Sequence, residues 1–455
     1  KFDWQSEFPE VFLDKKAKFN PGFDCIIGNP PYVRQETIVE KEHLQLPQPN
    51  SMGWKAEIPK MSDLSCYFFY HGLNILKERG RLGFISSDSW MNFGYGKGLQ
   101  KLMLAKCNII SMVRTEFNVF SEADVKTVTM ILQKVDKPND QPINVIFVGG
   151  TLTNQHLNLK SIKQNELKPG NWSLHFKPEI LEPRIEMIKM VDVGRVKRGK
   201  TTGCNNFFHL TQEIINQHEI AEQYRKPMLP QNLPYESGLL SNNDADKFFL
   251  DVNESKRDLT RTNEGRRVLG YIEKVGEQTE RKTKIKGKYV QFQTHKLPTL
   301  ASRSIWYSLD LRDPPSIFLG QVINKKIKIY ENNGHFYAKD TWAEFTPNNK
   351  DHIHALLAYL RSSYFSLYLE IHGKPMGGGA LKLQIYDFEN SLVPDINKLS
   401  KQDVKELSQA WKNFRESFAI SELDSVVSKV LGLSEEEQDM IESQLDSQSQ
   451  IRLKR

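Results

Sequence analysis

The stretch Phe23-Asp24-Cys25-Ile26-Ile27-Gly28-Asn29-Pro30-Pro31-Tyr32-Val33-Arg34 decides how this chain is read. The largely apolar run from Asp24 to Ile27 reads as a buried parallel strand that delivers the chain directly into Asn29-Pro30-Pro31-Tyr32. Proline lacks an N–H, fixes φ and pushes the preceding residue out of the helical region. The block is therefore a stiff extended turn, rich in acceptors and poor in donors. The Asn29 amide oxygen and the Pro30 carbonyl can both accept from one –NH₂ group, while Tyr32 offers a flat face to the ring that carries it. Loops after parallel strands are where open α/β sheets hold ligands, and a nucleobase with an exocyclic amine suits these three groups. Such an amine is a poor nucleophile because its lone pair is delocalised into the ring. Gripping both protons turns that lone pair toward an electrophile, and a carboxamide does this without titrating. The plainer account is a proline-rich loop that ends a strand, since the tetrapeptide alone is only fairly specific.

The neighbouring sequence alternates strands and helices. Ser62 reads as the cap of a helix carrying Leu64, Tyr67, Phe68, His71, Ile75 and Leu76, closed by Lys77 and Gly80. Leu82 to Ile85 reads as a strand, Leu99 to Leu104 as a helix, Ile109 to Val113 as a strand, and Val125 to Leu132 alternates into another. The fold class is α/β, half of a doubly wound sheet.

These residues carry a family resemblance. Phe23 to Tyr32 resembles the catalytic motif of amino-directed, S-adenosylmethionine-dependent methyltransferases. The lead-in Phe2-Asp3-Trp4 with Phe8-Pro9-Glu10-Val11-Phe12 is similar to the stretch before that motif in TaqI-like, gamma-class restriction-modification methylases. The likeness continues in order through Tyr67-Phe68-Phe69, Gly80 to Ile85, Asn118-Val119-Phe120 and Val125-Lys126-Thr127-Val128. It implies a site-specific DNA adenine N6-methyltransferase in which Asn29, Pro30, Pro31 and Tyr32 are catalytic. S-adenosylmethionine is the implied cofactor and double-stranded DNA the implied partner, with a restriction subunit or an upstream nuclease domain as a further one.

The resemblance also sets Phe120 opposite Tyr32 across a flipped base. Rotating adenine out of the stack costs a few kcal/mol, and each stacking ring returns about 1–3 kcal/mol, so two rings make the exchange favourable. Without the motif order, Phe120 reads as core packing. Lys126 is a candidate phosphate contact, its plainer role being a solvated lysine. The family's cofactor half, with a glycine loop and an acidic residue, is expected upstream of Lys1, and the chain is expected to be a fragment that binds the cofactor weakly. The glycine cluster Met376-Gly377-Gly378-Gly379-Ala380 follows no strand-like run. On the same view, Asp24 to Ile27 is left as an exposed sheet edge.

Composition agrees with this reading without deciding it. At 455 residues the length prior is roughly three domains, and 39% apolar content is enough for packed cores. A net charge of +6 permits a polyanionic partner without requiring one. Cys25, Cys66, Cys107 and Cys204 lie too far apart for a zinc or disulfide framework, so no metal site is expected and a reducing cytoplasm suits the chain. No signal peptide, repeat or membrane-spanning run is visible.

The second half separates DNA methylation from its relatives. Enzymes that methylate glutamine in release factors share the Asn-Pro-Pro-Tyr block but end soon after the last sheet strand, whereas this chain runs on to residue 455. Val191 to Phe208 resembles the opening of a target recognition domain, and an irregular α+β architecture is expected. Strands are read at Lys247–Leu250, Ser304–Tyr307, Ser316–Leu319 and His335–Ala338, and one helix at Ala355–Leu369.

Arg195, Lys197, Arg198, Lys200, Thr201 and Thr202 form a glycine-punctuated turn proposed to touch DNA. A stripe of Lys256, Arg257, Arg261, Arg266 and Arg267, then Arg281, Lys282, Lys284, Lys286 and Lys288, fits a phosphate-facing surface or an ordinary solvated one. Asp244 with Glu254-Ser255-Lys256 mimics a nuclease spacing weakly. Beyond Pro394 the pattern is helical: Leu423, Val426, Val427, Val430 and Leu431 make an apolar face, Gly432 stops it, and Ser434 with Glu437 forms a capping box. The resulting division is a catalytic half at 1–140, a connector at 141–190, the recognition domain at 191–395 and a helical segment at 396–455.

Overall fold

Strand β1, Phe23–Gly28, lies at one edge of a six-stranded sheet and runs parallel to β2, Leu76–Ser87. The computed structural model describes residues 3–13, 22–33, 62–92, 94–115, 119–120, 126–150, 155–177, 180–230, 233, 238–240, 244–285 and 288–453. The chain divides into two units, Lys1–Glu179 and Ile180–Arg455.

In the first unit the sheet continues with β3 (Cys107–Thr115), β4 (Thr127–Lys134), β5 (Pro142–Gly150) and β6 (Gln155–Lys163), in the order β1-β2-β4-β3-β5-β6. β4 runs antiparallel between β2 and β3, β5 is parallel to β3, and β6 closes the far edge antiparallel to β5. Residues 142–163, expected in a connector, thus extend the six-stranded sheet of the first unit, because two alternating segments complete it. β1 is parallel as expected but not buried on both faces: Ile27 is 84% exposed, as befits an edge strand. Its start is packed, since Trp4, Phe8 and Phe12 meet the Phe23 ring edge-on at 5.4–5.8 Å.

Helix α1, Leu64–Ile75, buries Cys66, Phe69, Tyr70 and Leu73 on the sheet and leaves Phe68 outside. Of the expected stripe, Tyr67 is buried, Leu64, His71 and Ile75 are half-buried and Phe68 is exposed, while Leu76, buried, already belongs to β2. Asp63, not Ser62, occupies the N-cap, and its carboxylate accepts the Tyr95 hydroxyl at 2.5 Å. Helix α2 spans Lys97–Lys106. Phe84 of β2 fills the space between two glycines. A Cβ on Gly28 would stand 2.8 Å from Phe84 Cε1, and one on Gly72 would stand 3.3 Å from Phe84 Cζ. The bare backbone at Gly28 lets β1 sit close to β2 immediately before the Asn29 turn.

The second unit has a five-stranded sheet ordered Leu239–Leu240, Ile329–Asn332, Ile317–Gly320, Trp342–Pro347, Gly194–Arg198, together with two three-stranded sheets, the pairing of Met187–Lys189 with Leu392–Pro394, and the antiparallel pair Glu280–Ile285/Lys288–Gln293. The strands read at 247–250 and 316–319 appear as Phe248–Leu250 and Ile317–Gly320. Ser304–Tyr307 is instead a turn, and residues 335–338 make only an isolated bridge, Met228 with Tyr337. The single helix read at 355–369 is two, Ile353–Arg361 and Ser363–His372. Ser362 turns extended there and its hydroxyl accepts from Phe365 N, ending one helix and capping the next.

Lys401–Ser417, Ile420–Leu431 and Glu435–Leu453 are helical, Gly432 has φ +75°, and Ser434 and Glu437 exchange the expected capping-box bonds. These helices belong to the second unit. Buried Glu331, in the sheet, accepts from Trp411 Nε1 and Arg415 Nη1 at 2.8 Å each and lies 3.0 Å from His354 Nε2. Among the described residues no helix is long and apolar enough to cross a membrane.

Candidate active site

At the carboxyl end of β1 the chain leaves Gly28 into the turn. Pro30 is buried, Asn29 and Pro31 are exposed, and Tyr32 is half-buried. Val33 N donates to the Pro31 carbonyl at 3.0 Å, and Leu64 N donates to the Val33 carbonyl at 3.1 Å, so the turn is pinned to the start of α1. The Tyr32 hydroxyl donates to Asn29 Oδ1 at 2.8 Å. Burial pushes the Tyr32 phenol above its ordinary value, which keeps it protonated as that donor. The Phe120 ring stands 5.9 Å from the Tyr32 ring at 50°. Asn29, Pro30, Pro31, Tyr32 and Phe120 are thus gathered at one sheet end, the place expected for a ligand.

Lys126 precedes β4 at the same end, and its carbonyl accepts Asp88 N at 3.0 Å. Asp88 and its buried partner Arg114 do not stand out in the sequence. Asp88 Oδ2 lies 2.6 Å from Arg114 Nη2 as an ion pair, although the approach is outside hydrogen-bond geometry. The available signal was an arginine ending an apolar strand, which needs an anionic partner when buried. Equally unmarked is the spacing Gly94-Tyr95-Gly96-Lys97-Gly98 after β2, where a Cβ on Gly96 would collide with the Trp90 carbonyl, so the glycine lets the chain turn into α2. The cluster Gly377–Gly379 sits between the short strands Lys374–Pro375 and Leu381–Lys382, and the buried Arg452 guanidinium donates to the Gly379 carbonyl. That hairpin turn does not fit a methyl donor.

In the second unit Arg195, Lys197 and Arg198 lie on an edge strand, not in a turn, because Gly194–Arg198 pairs with Trp342–Pro347. Arg195 and Arg198 are exposed, whereas Lys197 Nζ lies 3.6 Å from the buried Glu344 carboxylate. Lys200 is half-buried, and burial holds its ammonium below the ordinary lysine value. Thr201 is exposed. Thr202 is 2% exposed and its hydroxyl donates to Asn205 Oδ1 at 2.5 Å, which removes it from any DNA-facing surface.

The backbones of Arg281, Lys282, Lys284 and Lys288 form the two-stranded ribbon, and Lys282 is exposed. Lys286 lies outside the described residues. Arg261 pairs with Asp258 and Arg267 with Glu219, so part of the first basic stripe is internally neutralised. The nuclease-like spacing has other roles: Ser255 caps a helical turn and Lys256 Nζ lies 2.6 Å from Glu277.

Comparison with known proteins bears on both units. Residues 1–120 match the family described as "Eco57I restriction-modification methylase", and residues 179–428 match "Type II methyltransferase M.Eco57I, C-terminal domain". The chain is 22% identical to the type II methyltransferase M.AccI of Acinetobacter calcoaceticus over 89% of this chain and 74% of that protein. It is 28% identical to M.XamI of Xanthomonas campestris pv. amaranthicola over 43% of this chain and 37% of that one. The fold resembles that of the type IIL restriction-modification enzyme MmeI, solved in complex with DNA, with a TM-score of 0.54 and 15% identity over 99% of this chain and 59% of MmeI. The chain therefore spans less than two thirds of M.XamI and of MmeI.

Proposed function

The chain belongs to the type II restriction-modification methyltransferases typified by M.Eco57I, and from that premise we propose that it methylates adenine N6 at a specific site in double-stranded DNA. The observation that carries this reading is the grouping of Asn29, Pro30, Tyr32 and Phe120 at one sheet end. Asn29 Oδ1 and the Pro30 carbonyl accept the two amine protons, which orients the lone pair outward. Oδ1 has two lone pairs, so it can hold the Tyr32 hydroxyl and an amine proton together. Tyr32 and Phe120 take the flipped base between them, their rings parting to roughly 7 Å, the spacing of two stacked contacts. S-adenosylmethionine supplies the methyl group, as is expected of this family.

The second unit reads the target. Arg195 and Arg198 meet phosphates, and the hairpin Glu280–Gln293 has the two-stranded form that fits a major groove. Arg281, Lys282, Lys284 and Lys288 lie along that ribbon, and Lys126 is a phosphate contact near the flipped base. A restriction subunit or a linked nuclease is the expected partner. The test is methyl transfer from tritiated S-adenosylmethionine by the intact enzyme, with a gel-shift control. Asn29→Ala should abolish transfer and leave DNA binding largely intact; an Asn29→Ala enzyme of near-normal rate contradicts the reading.

A further inference from the structure

We infer that Asp88 and Arg114 form a clasp that positions Phe120 against the target base, an inference that rests on the adenine reading above. Phe120 lies on the connection between β3 and β4, and Asp88 engages both ends of that connection. Its backbone N–H donates to the Lys126 carbonyl at 3.0 Å, one residue before β4 begins. Its carboxylate meets Arg114, one residue before β3 ends, at 2.6 Å. In the strand order β2-β4-β3, the side chains reach from the end of β2 to the end of β3 across the start of β4, a span of about 10 Å at the usual strand spacing.

Both residues are buried, Asp88 at 7% and Arg114 at 6% exposure. A buried ion pair gives up much of its attraction to desolvation, so an apolar pair would hold the sheet equally well. What the charged pair adds is a tie between two specific chain ends, held at 2.6 Å. Asp88 itself is set by the short helix it begins, Asp88–Met91, whose N-cap Ser87 hydroxyl accepts from Ser89 N. Trp90 of that helix donates from Nε1 to the Ser86 hydroxyl at 3.1 Å. The clasp is therefore referenced to β2, the strand that pairs with β1 and so with the Asn29 turn. Asp88 and Arg114 fix the distance between the ring at Phe120 and the ring at Tyr32 without touching the base. They are positioning residues, not catalytic ones.

The test is a double-mutant cycle in the intact enzyme, read by kcat/KM and by 2-aminopurine fluorescence at the target adenine. Asp88→Asn should lower kcat/KM about tenfold, the scale of one stacking ring removed, and should move the 2-aminopurine signal in the same direction as Phe120→Ala. The variant carrying both changes should be no worse than Phe120→Ala alone, because the two act through one ring. Arg114→Lys keeps the ion pair and should restore most of the activity that Arg114→Gln loses. If Asp88→Asn melts early, Arg114→Gln carries the same comparison with Phe120→Ala.

Additive losses in the cycle, an unaltered 2-aminopurine signal, or loss of folding in both Asp88→Asn and Arg114→Gln makes the pair purely structural and overturns the inference. In those cases Phe120→Ala still impairs transfer and the adenine reading stands. A silent Phe120→Ala sinks the adenine reading and the clasp with it.

Discussion

The hydroxyl of Tyr32 donates a hydrogen bond to the carboxamide oxygen of Asn29 at 2.8 Å, so the two outer members of the Asn-Pro-Pro-Tyr turn are joined before any base arrives. On the adenine reading proposed above, Tyr32 supplies both a stacking face and a tether that orients the acceptor beside it.

These two contributions separate by substitution. Tyr32→Phe keeps the ring and removes a hydrogen bond worth about 1 kcal/mol, so kcat should fall about fivefold. Tyr32→Ala also removes stacking worth about 1–3 kcal/mol and should lose a further ~10-fold or more. Steady-state methyl transfer on one duplex checks both. Equal losses would mean that the ring contributes nothing beyond its hydroxyl.

Gly28 should tolerate no side chain. Gly28→Ala places a methyl 2.8 Å from Phe84 Cε1 and pushes β1 from β2 just before Asn29. We expect kcat to drop at least ~10-fold, in keeping with the sensitivity of positioned groups to displacements near 1 Å. Adding Phe84→Leu to Gly28→Ala should recover part of the rate, and no recovery would place the fault elsewhere.

Arg195 and Arg198 are exposed, whereas Lys197 neutralises the buried Glu344, so DNA affinity is best probed at the two arginines. Arg195→Ala with Arg198→Ala should weaken binding to all sequences alike. The slope of log K against log salt should flatten by about 0.9 for each phosphate left without its arginine. Fluorescence anisotropy across a salt series measures this. An unchanged slope moves the phosphate surface to the hairpin.

Asp424 tests a charge in the helical part of the second unit. Burial, with Glu442 nearby, raises its carboxyl to about 6, while Ser363 N donates to it at 2.8 Å. The folded state then holds a proton that the unfolded state has released. Stability from this group is full below the unfolded value of 3.8 and is lost as pH rises through about 6. Asp424→Asn should raise Tm by several degrees at pH 7.5 and leave it nearly unchanged at pH 3.5. Calorimetry at the two pH values decides, and an equal shift at both would assign the effect to packing.

Part of the site was legible because proline geometry and strand context act locally: the Asn29 turn at the end of a parallel strand follows from Phe23 to Tyr32 alone, whereas the sheet-edge position of β1 was expected only from the order of the family's two halves, the residues themselves reading as a buried strand. Proximity of Tyr32 to Phe120 came from the order of the family's motifs. What stayed hidden depends on neighbours distant in sequence. Thr202 reads as a surface threonine until Asn205 and Arg303, whose guanidinium donates to the Thr202 carbonyl, close over it. Lys197 reads as a free cation until Glu344 appears on the neighbouring strand. The break at Ser362 competes with a helical apolar pattern on both sides and wins through its own capping bond. Asp88 and Arg114 are unremarkable apart and meaningful only across β4.

Nucleoside mass spectrometry of target DNA incubated with the intact enzyme and S-adenosylmethionine bears most directly on the central claim. An amine held by Asn29 Oδ1 and the Pro30 carbonyl, with its ring between Tyr32 and Phe120, predicts N6-methyladenine as the product and its loss in Asn29→Ala. A 4-methylcytosine product, or N6-methyladenine undiminished in Asn29→Ala, would contradict it.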